Sequence, residues 1–138
     1  MGNTNGVDLV YSLFFFGLIV AFAIFLFSTA FKTRDKSVSL KVQGKIEKLF
    51  KTQKDKKSLV IELDKILEYV LQEKFKTSLG LGKILKENKA AFSKKDLDNI
   101  WQAHKLRNLL VHNIDFEPSQ EELRKTVGIF RKQLGRLV

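Results

Sequence analysis

An uncharged apolar run near the N-terminus constrains this 138-residue chain more than any other feature. The run extends from Leu9 to Phe31, is rich in Phe, and is apolar on every side rather than along one stripe. As a helix its 23 residues would be about 35 Å long, enough to cross a hydrocarbon core of about 30 Å. The sequence therefore predicts one membrane-spanning helix over residues 9–31, preceded by a short extracytoplasmic segment over residues 1–8.

A secretory signal sequence is the alternative interpretation of this run. Signal sequences have a shorter apolar region, about 7–15 residues, with a basic segment before it. No Lys or Arg precedes Leu9, whereas Ser28, Thr29 and Ala30 loosely match the small residues of a cleavage site. The length of the apolar run favours a membrane span, and a signal sequence cleaved at these small residues remains the alternative.

The charged residues lie almost entirely on one side of the run. Residues 32–138 hold all 25 basic residues and 14 of the 15 acidic ones, a formal net charge of +11. Basic residues flank a span on its cytoplasmic side, which predicts a single-pass protein of the plasma (inner) membrane with its N-terminus outside and its C-terminus inside. The soluble domain is then cytoplasmic.

The basic excess is greatest directly after the span. Residues 32–57 hold ten Lys and Arg against three acidic residues, and anionic lipid headgroups attract such segments. We therefore expect Lys32–Lys57 to contact anionic headgroups. The second half of this basic juxtamembrane segment is predicted to be the first helix of the soluble domain, because apolar residues recur there at helical spacing: Leu40, Val42, Ile46, Leu49 and Phe50.

Residues 58–138 show helical periods and no alternation typical of strands. A wide apolar stripe predicts a helix over 58–74, two glycines interrupt the pattern near Gly82, and capping patterns at Ser93 and Ser119 open two further helices. The last helix has apolar residues at a strict 4-3-4-3 spacing: Leu123, Val127, Phe130, Leu134 and Leu137. We predict an all-α protein, a transmembrane helix followed by an antiparallel bundle of four to five helices.

Several kinds of site are excluded by composition. The absence of Cys excludes disulfides, thiolate zinc sites, iron–sulfur clusters and cysteine nucleophiles. The chain has no glycine-rich phosphate loop and no HExxH motif, and it has only two His. We therefore predict neither a metal nor a cofactor.

One segment carries a recognisable motif, the run WQAHKLRNLLVH from Trp101 to His112. Its core, Arg107-Asn108-x3-His112, resembles the signature of HEPN domains, which are all-α bundles with the motif at the end of a helix. Two further segments extend the similarity to small bacterial membrane-anchored HEPN-like proteins: ELDKIL over Glu62–Leu67 and GKIL over Gly82–Leu85. The resemblance covers residues 58–137.

The resemblance implies metal-independent RNA cleavage, usually across a homodimer, with RNA or a nucleotide as ligand. His112 would transfer a proton at a ribose 2′-hydroxyl, Arg107 would stabilise charge on the scissile phosphate, and Asn108 would orient His112. His104 lies one turn before Asn108 and would join the site or only pack against it. On an ideal helix Arg107 and His112 lie about 140° apart. They meet on one phosphate only if the helix loosens or the second Arg comes from another subunit.

A structural role explains the same residues. Arg107 would pair with Glu62 or Asp64, and His112 would cap the helix C-terminus, where a cation is favoured. We therefore favour a non-catalytic, membrane-anchored HEPN-like binding or scaffold module. Two alternatives stay open: a membrane-tethered ribonuclease using Arg107 and His112, and a small accessory subunit of a larger membrane complex whose Phe-rich helix packs against partner helices.

Overall fold

This computed structural model describes residues 4–53 and 55–138, with side chains for residues 10–29, 36–53 and 55–138. The described residues contain no strand, which confirms the all-α class. Their regular structure consists of five α-helices and one 3₁₀ turn: α1 (Thr4–Thr52), α2 (Lys56–Phe75), α3 (Leu81–Glu87), the 3₁₀ turn (Lys89–Ala91), α4 (Lys94–His112) and α5 (Gln120–Leu137).

The chain divides into two compact units, of which the first ends at Ser37. This unit contains Val10–Thr29, a helical stretch with a mean hydropathy of 2.6 and none of its surface buried within the protein. The stretch is long and apolar enough to cross a membrane. The side chains at both ends of the predicted span, including Leu9 and Phe31, lie outside the described residues, as do the side chains of segment 1–8 and the first basic side chains, Lys32 and Arg34.

The second unit extends from Val38 to Val138 and contains the hydrophobic core. The end of α1 belongs to this unit, since Val42 is buried and Ile46 and Leu49 pack against the core. The other helices contribute the remaining buried apolar side chains: Leu59, Val60, Leu63, Ile66, Leu67, Val70 and Leu71 of α2, Leu81, Ile84 and Leu85 of α3, Ile100 and Ala103 of α4, and Leu123, Phe130 and Leu134 of α5.

Polar contacts at the helix ends fix the directions of the helices. Asp96 near the start of α4 meets Gln133 and Arg136 near the end of α5, so these two helices are antiparallel. Lys57 at the start of α2 reaches Glu117, just before α5 begins, so α2 runs parallel to α5 and antiparallel to α4. Among these three helices, α4 is therefore antiparallel to both others, whereas α2 and α5 run in the same direction.

Local hydrogen bonds explain where the helices begin. Ser119 and Glu122 form the predicted capping box at the start of α5, and the Ser93 hydroxyl accepts from the Asp96 amide at the start of α4. Helix α2 begins slightly earlier than predicted, because the Asp55 carboxylate accepts from the amides of Lys57 and Ser58. The Ser58 hydroxyl foremost, together with these amides, lowers the pKa of Asp55.

Candidate functional site

A buried carboxylate lies at the centre of the motif-bearing region. Asp64 is on the core side of α2, one turn from the buried Val60 and Leu67, and only 1% of its surface is exposed. Ionised groups are rarely buried without partners, since removing a charge from water is costly. Asp64 therefore requires cationic or hydrogen-bonding partners from a neighbouring helix.

Helix α4 supplies two such partners, one for each carboxylate oxygen. Nδ1 of His104 lies 2.8 Å from Oδ1 of Asp64, and Nε of Arg107 lies 3.3 Å from Oδ2. Because His104 and Arg107 are three residues apart, they lie on one face of α4 and reach the same carboxylate. An ionised carboxylate only accepts, so Nδ1 of His104 carries the proton of their hydrogen bond.

The Arg107 guanidinium is held on two sides. Its Nη1 donates to Oδ1 of Asn108 at 2.9 Å, while Nε is buried and forms an ion-pair contact with Asp64 that is not aligned as a hydrogen bond. Only 22% of the Arg107 side chain is exposed. Asp64, His104, Arg107 and Asn108 form one connected group, which we call the Asp64 cluster.

Helix α3 closes one side of the Asp64 cluster at a glycine. A Cβ at Gly82 would lie 3.7 Å from Nε2 of His104 and 3.5 Å from the Trp101 ring, so the helix packs closely against both. The rings of Trp101 and His104 meet edge to face, with centroids 6.2 Å apart. Segments 62–67, 82–85 and 101–112 thus meet here: the first contributes Asp64, the second Gly82, and the third the residues of α4.

Two of the predicted site residues lie apart from this cluster. Glu62 pairs with Lys65 on the outer surface of α2, at 2.8 Å. His112 is exposed at the last position of α4, and its imidazole has neither a hydrogen bond nor an ion pair with any residue that the structure describes. Asn108, which the motif would use to orient His112, accepts from Arg107 instead.

The sequence contains a signal that distinguishes Asp64 from Glu62. Residues two positions apart in a helix, such as Glu62 and Asp64, are rotated by about 200° around the helix axis, so only one of them can face the core. Asp64 falls on the apolar stripe of Val60 and Leu67, while Glu62 falls on the opposite side. The contact between Asp64 and His104 has no comparable signal, because it depends on how α2 and α4 pack.

The open side of the cluster is a shallow depression on the outer surface of α4, lined by Trp101, Gln102, His104, Lys105 and Asn108. The described residues contain no group of three or more His, Cys, Asp or Glu side chains that could hold a metal ion. A buried carboxylate that accepts from Nδ1 fixes the orientation of the His104 imidazole. The contacts of Asp64 with His104 and Arg107 also join α2 to α4.

The chain matches no protein-family model, no curated protein and no solved structure.

Proposed function

We propose that this chain is a membrane-anchored, HEPN-like binding or scaffold module whose helical unit lies in the cytoplasm and does not cleave RNA. One observation carries the non-catalytic assignment: the arginine of the motif is occupied by a buried carboxylate of its own chain. Arg107 lies 3.3 Å from Asp64 and donates to Asn108 at 2.9 Å.

A catalytic role would need Arg107 to bind a phosphate. That phosphate would compete with Asp64, and removing Arg107 from this carboxylate would leave a buried charge without its cationic partner. The exposed His112 side chain forms no hydrogen bond or ion pair with the described side chains of the Asp64 cluster. The cluster is better suited to holding α4 against α2, which keeps the bundle in one arrangement.

The membrane assignment rests on the apolar stretch and on the charges that follow it. Val10–Thr29 is long enough to span, and basic residues outnumber acidic ones after it. A span with this charge distribution places the helical unit on the cytoplasmic side. A cleaved signal sequence is the competing interpretation, and it predicts a mature chain that alkaline carbonate extracts from membranes. An anchored chain stays in the membrane pellet at full length.

The structural role of the cluster is tested by Asp64→Asn, which keeps the side-chain shape and removes the charge. We expect the free energy of unfolding to fall by roughly 3 kcal/mol, because Arg107 loses its carboxylate partner within the packed bundle. For a unit of about 100 residues this lowers Tm by roughly 12–24 °C. The matched control is Glu62→Gln on the exposed side of α2, which should cost less than about 0.5 kcal/mol.

Catalysis is tested with the same full-length protein and single-stranded RNA in the presence of EDTA. We expect no cleavage by the wild-type chain and no change of thermal stability in His112→Ala. Metal-independent cleavage by the wild type that disappears in His112→Ala would contradict the proposal and establish the ribonuclease alternative.

A further inference from the structure

A small hollow in the helical unit has the chemistry of an anion site. It lies between the end of α1 and α2, has a volume of about 190 Å³, and is lined by Lys41, Val42, Lys45, Ile66 and Tyr69. The volume is below the range of about 300–1,000 Å³ that is usual for drug-sized ligands, so the hollow suits one small polar group.

The floor of the hollow is apolar and its rim is cationic. Val42 and Ile66 are buried beneath it, whereas Lys41 and Lys45 are exposed and Tyr69 keeps 39% of its surface exposed. Two ammonium groups and one phenol provide hydrogen-bond donors around a single opening. Phosphate oxygens are acceptors that match these donors.

The two lysines carry unbalanced charge. They are four residues apart on one face of α1, where like charges repel, and neither has a carboxylate partner among the residues that the structure describes. Two acidic residues of α1 and α2 are engaged or face elsewhere: Glu62 pairs with Lys65, and Glu47 lines a separate groove with Arg131. An anion in the hollow would relieve this repulsion.

We propose that the hollow binds the phosphate of an anionic lipid headgroup, with Lys41, Lys45 and Tyr69 as the ligands. The inference rests on the proposed membrane anchor. Lys41 follows Thr29 by twelve residues, so an anchored chain keeps the bilayer surface within at most about 40 Å of the hollow. A short tether raises the effective concentration of headgroups at the site, which favours lipid over a freely diffusing phosphate or nucleic acid.

The test uses the full-length chain in an uncharged detergent, with unfolding followed through Trp101, the only Trp in the sequence. The probe is dihexanoyl phosphatidic acid, compared with dihexanoyl phosphatidylcholine, inorganic phosphate and single-stranded RNA. We expect the anionic lipid to raise Tm in a concentration-dependent manner. Phosphatidylcholine should have no effect, and free phosphate and RNA should act only at much higher concentrations.

Variants locate the site. Lys41→Ala with Lys45→Ala should raise the apparent Kd for the anionic lipid about 25-fold, and Tyr69→Phe should raise it about fivefold. The double variant should be no less stable without lipid, since it removes a like-charge pair. The matched control, Lys86→Ala with Lys89→Ala, changes two exposed lysines outside the hollow and should leave the apparent Kd unchanged.

Each other outcome overturns the proposal. An equal loss of affinity in the Lys86 and Lys89 control would indicate diffuse electrostatic attraction, and an equal effect of inorganic phosphate would indicate a site for free anions. Stabilisation by RNA rather than by lipid would assign the hollow to nucleic acid. If the anionic lipid did not raise Tm, the hollow would not be a headgroup site. Carbonate extraction of the same variants tests the anchor separately, so the hollow can fail while the membrane assignment stands.

Discussion

At the scale of single residues, Asp96 joins the start of α4 to the end of α5. Its carboxylate accepts from the Ser93 hydroxyl at 2.7 Å, from the Gln133 amide at 2.8 Å and from Arg136 at 2.7 Å. These hydrogen bonds, that of Ser93 foremost, lower the pKa of Asp96 from 3.8 to about 2. One side chain thus belongs both to the cap of α4 and to the contact of α4 with α5.

The lowered pKa has a consequence for acid stability. Because the folded chain binds the Asp96 proton less readily than the unfolded chain, the stabilisation is complete above about pH 4 and is lost as the pH falls toward 2. We expect Asp96→Asn to lower Tm at pH 7 and to make its decline between pH 4 and pH 2 shallower than in the wild type. Thermal unfolding measured across this range checks the prediction.

A neighbouring variant controls for loss of negative charge. Asp98→Asn changes an exposed carboxylate of the same helical turn. The Tm of this variant should decline between pH 4 and pH 2 as steeply as the Tm of the wild type. Some acid sensitivity should remain in Asp96→Asn, since the pKa values of Asp55 and Glu122 are also lowered by hydrogen bonds at helix starts. If Tm declined equally steeply between pH 4 and pH 2 in the wild type and in Asp96→Asn, the assigned contacts of Asp96 would be contradicted.

At the scale of helices, local signals predict some elements far better than others. Helix α5 follows from its sequence alone, because the capping box of Ser119 and the spacing of Leu123, Phe130 and Leu134 specify its start and its buried face. Helix α4 is less predictable: its apolar residues include Val111, which is 46% exposed. The buried residues of α4 are Ile100 and Ala103. Its contact with α2 also includes the hydrogen bond between Asp64 and His104, side chains 40 residues apart.

The face of α5 is tested by two neighbouring substitutions of opposite expected sign. Phe130 is completely buried, and Phe130→Ala should lower the free energy of unfolding by about 3–5 kcal/mol. Gly128 is exposed, with open space where a Cβ would lie. Gly128→Ala should therefore raise the free energy of unfolding by about 0.5–1 kcal/mol, because Ala has the higher helix propensity. Chemical denaturation of the full-length protein measures both changes. An unchanged midpoint in Phe130→Ala would show that another face of α5 packs.

At the scale of the whole molecule, the chain combines two units suited to different solvents. The first contains an apolar helical stretch with no charged side chain from Val10 to Thr29, and the second packs a hydrophobic core beneath a basic surface. Length and composition predict an apolar segment followed by a charged one, because both act over whole segments, whereas the boundary after Ser37 lies within α1 and has no such signal. The Asp64 cluster depends on how α2 and α4 pack, so the sequence alone allows Arg107 to pair with either Glu62 or Asp64 and does not decide the role of His104.

The proposed membrane orientation of the chain rests on the basic residues that follow the apolar stretch. Basic residues that follow an apolar span remain in the cytoplasm, so the N-terminus should face outward and the helical unit inward. The sequence contains no Cys, and single substitutions therefore give unambiguous labelling sites. We expect a membrane-impermeant maleimide to label Thr4→Cys in spheroplasts and to label Lys89→Cys only after permeabilisation, with the Cys-free wild type as background. Labelling of Lys89→Cys in sealed spheroplasts would reverse the orientation, and loss of the label at position 4 from the mature chain would show that the apolar stretch is cleaved.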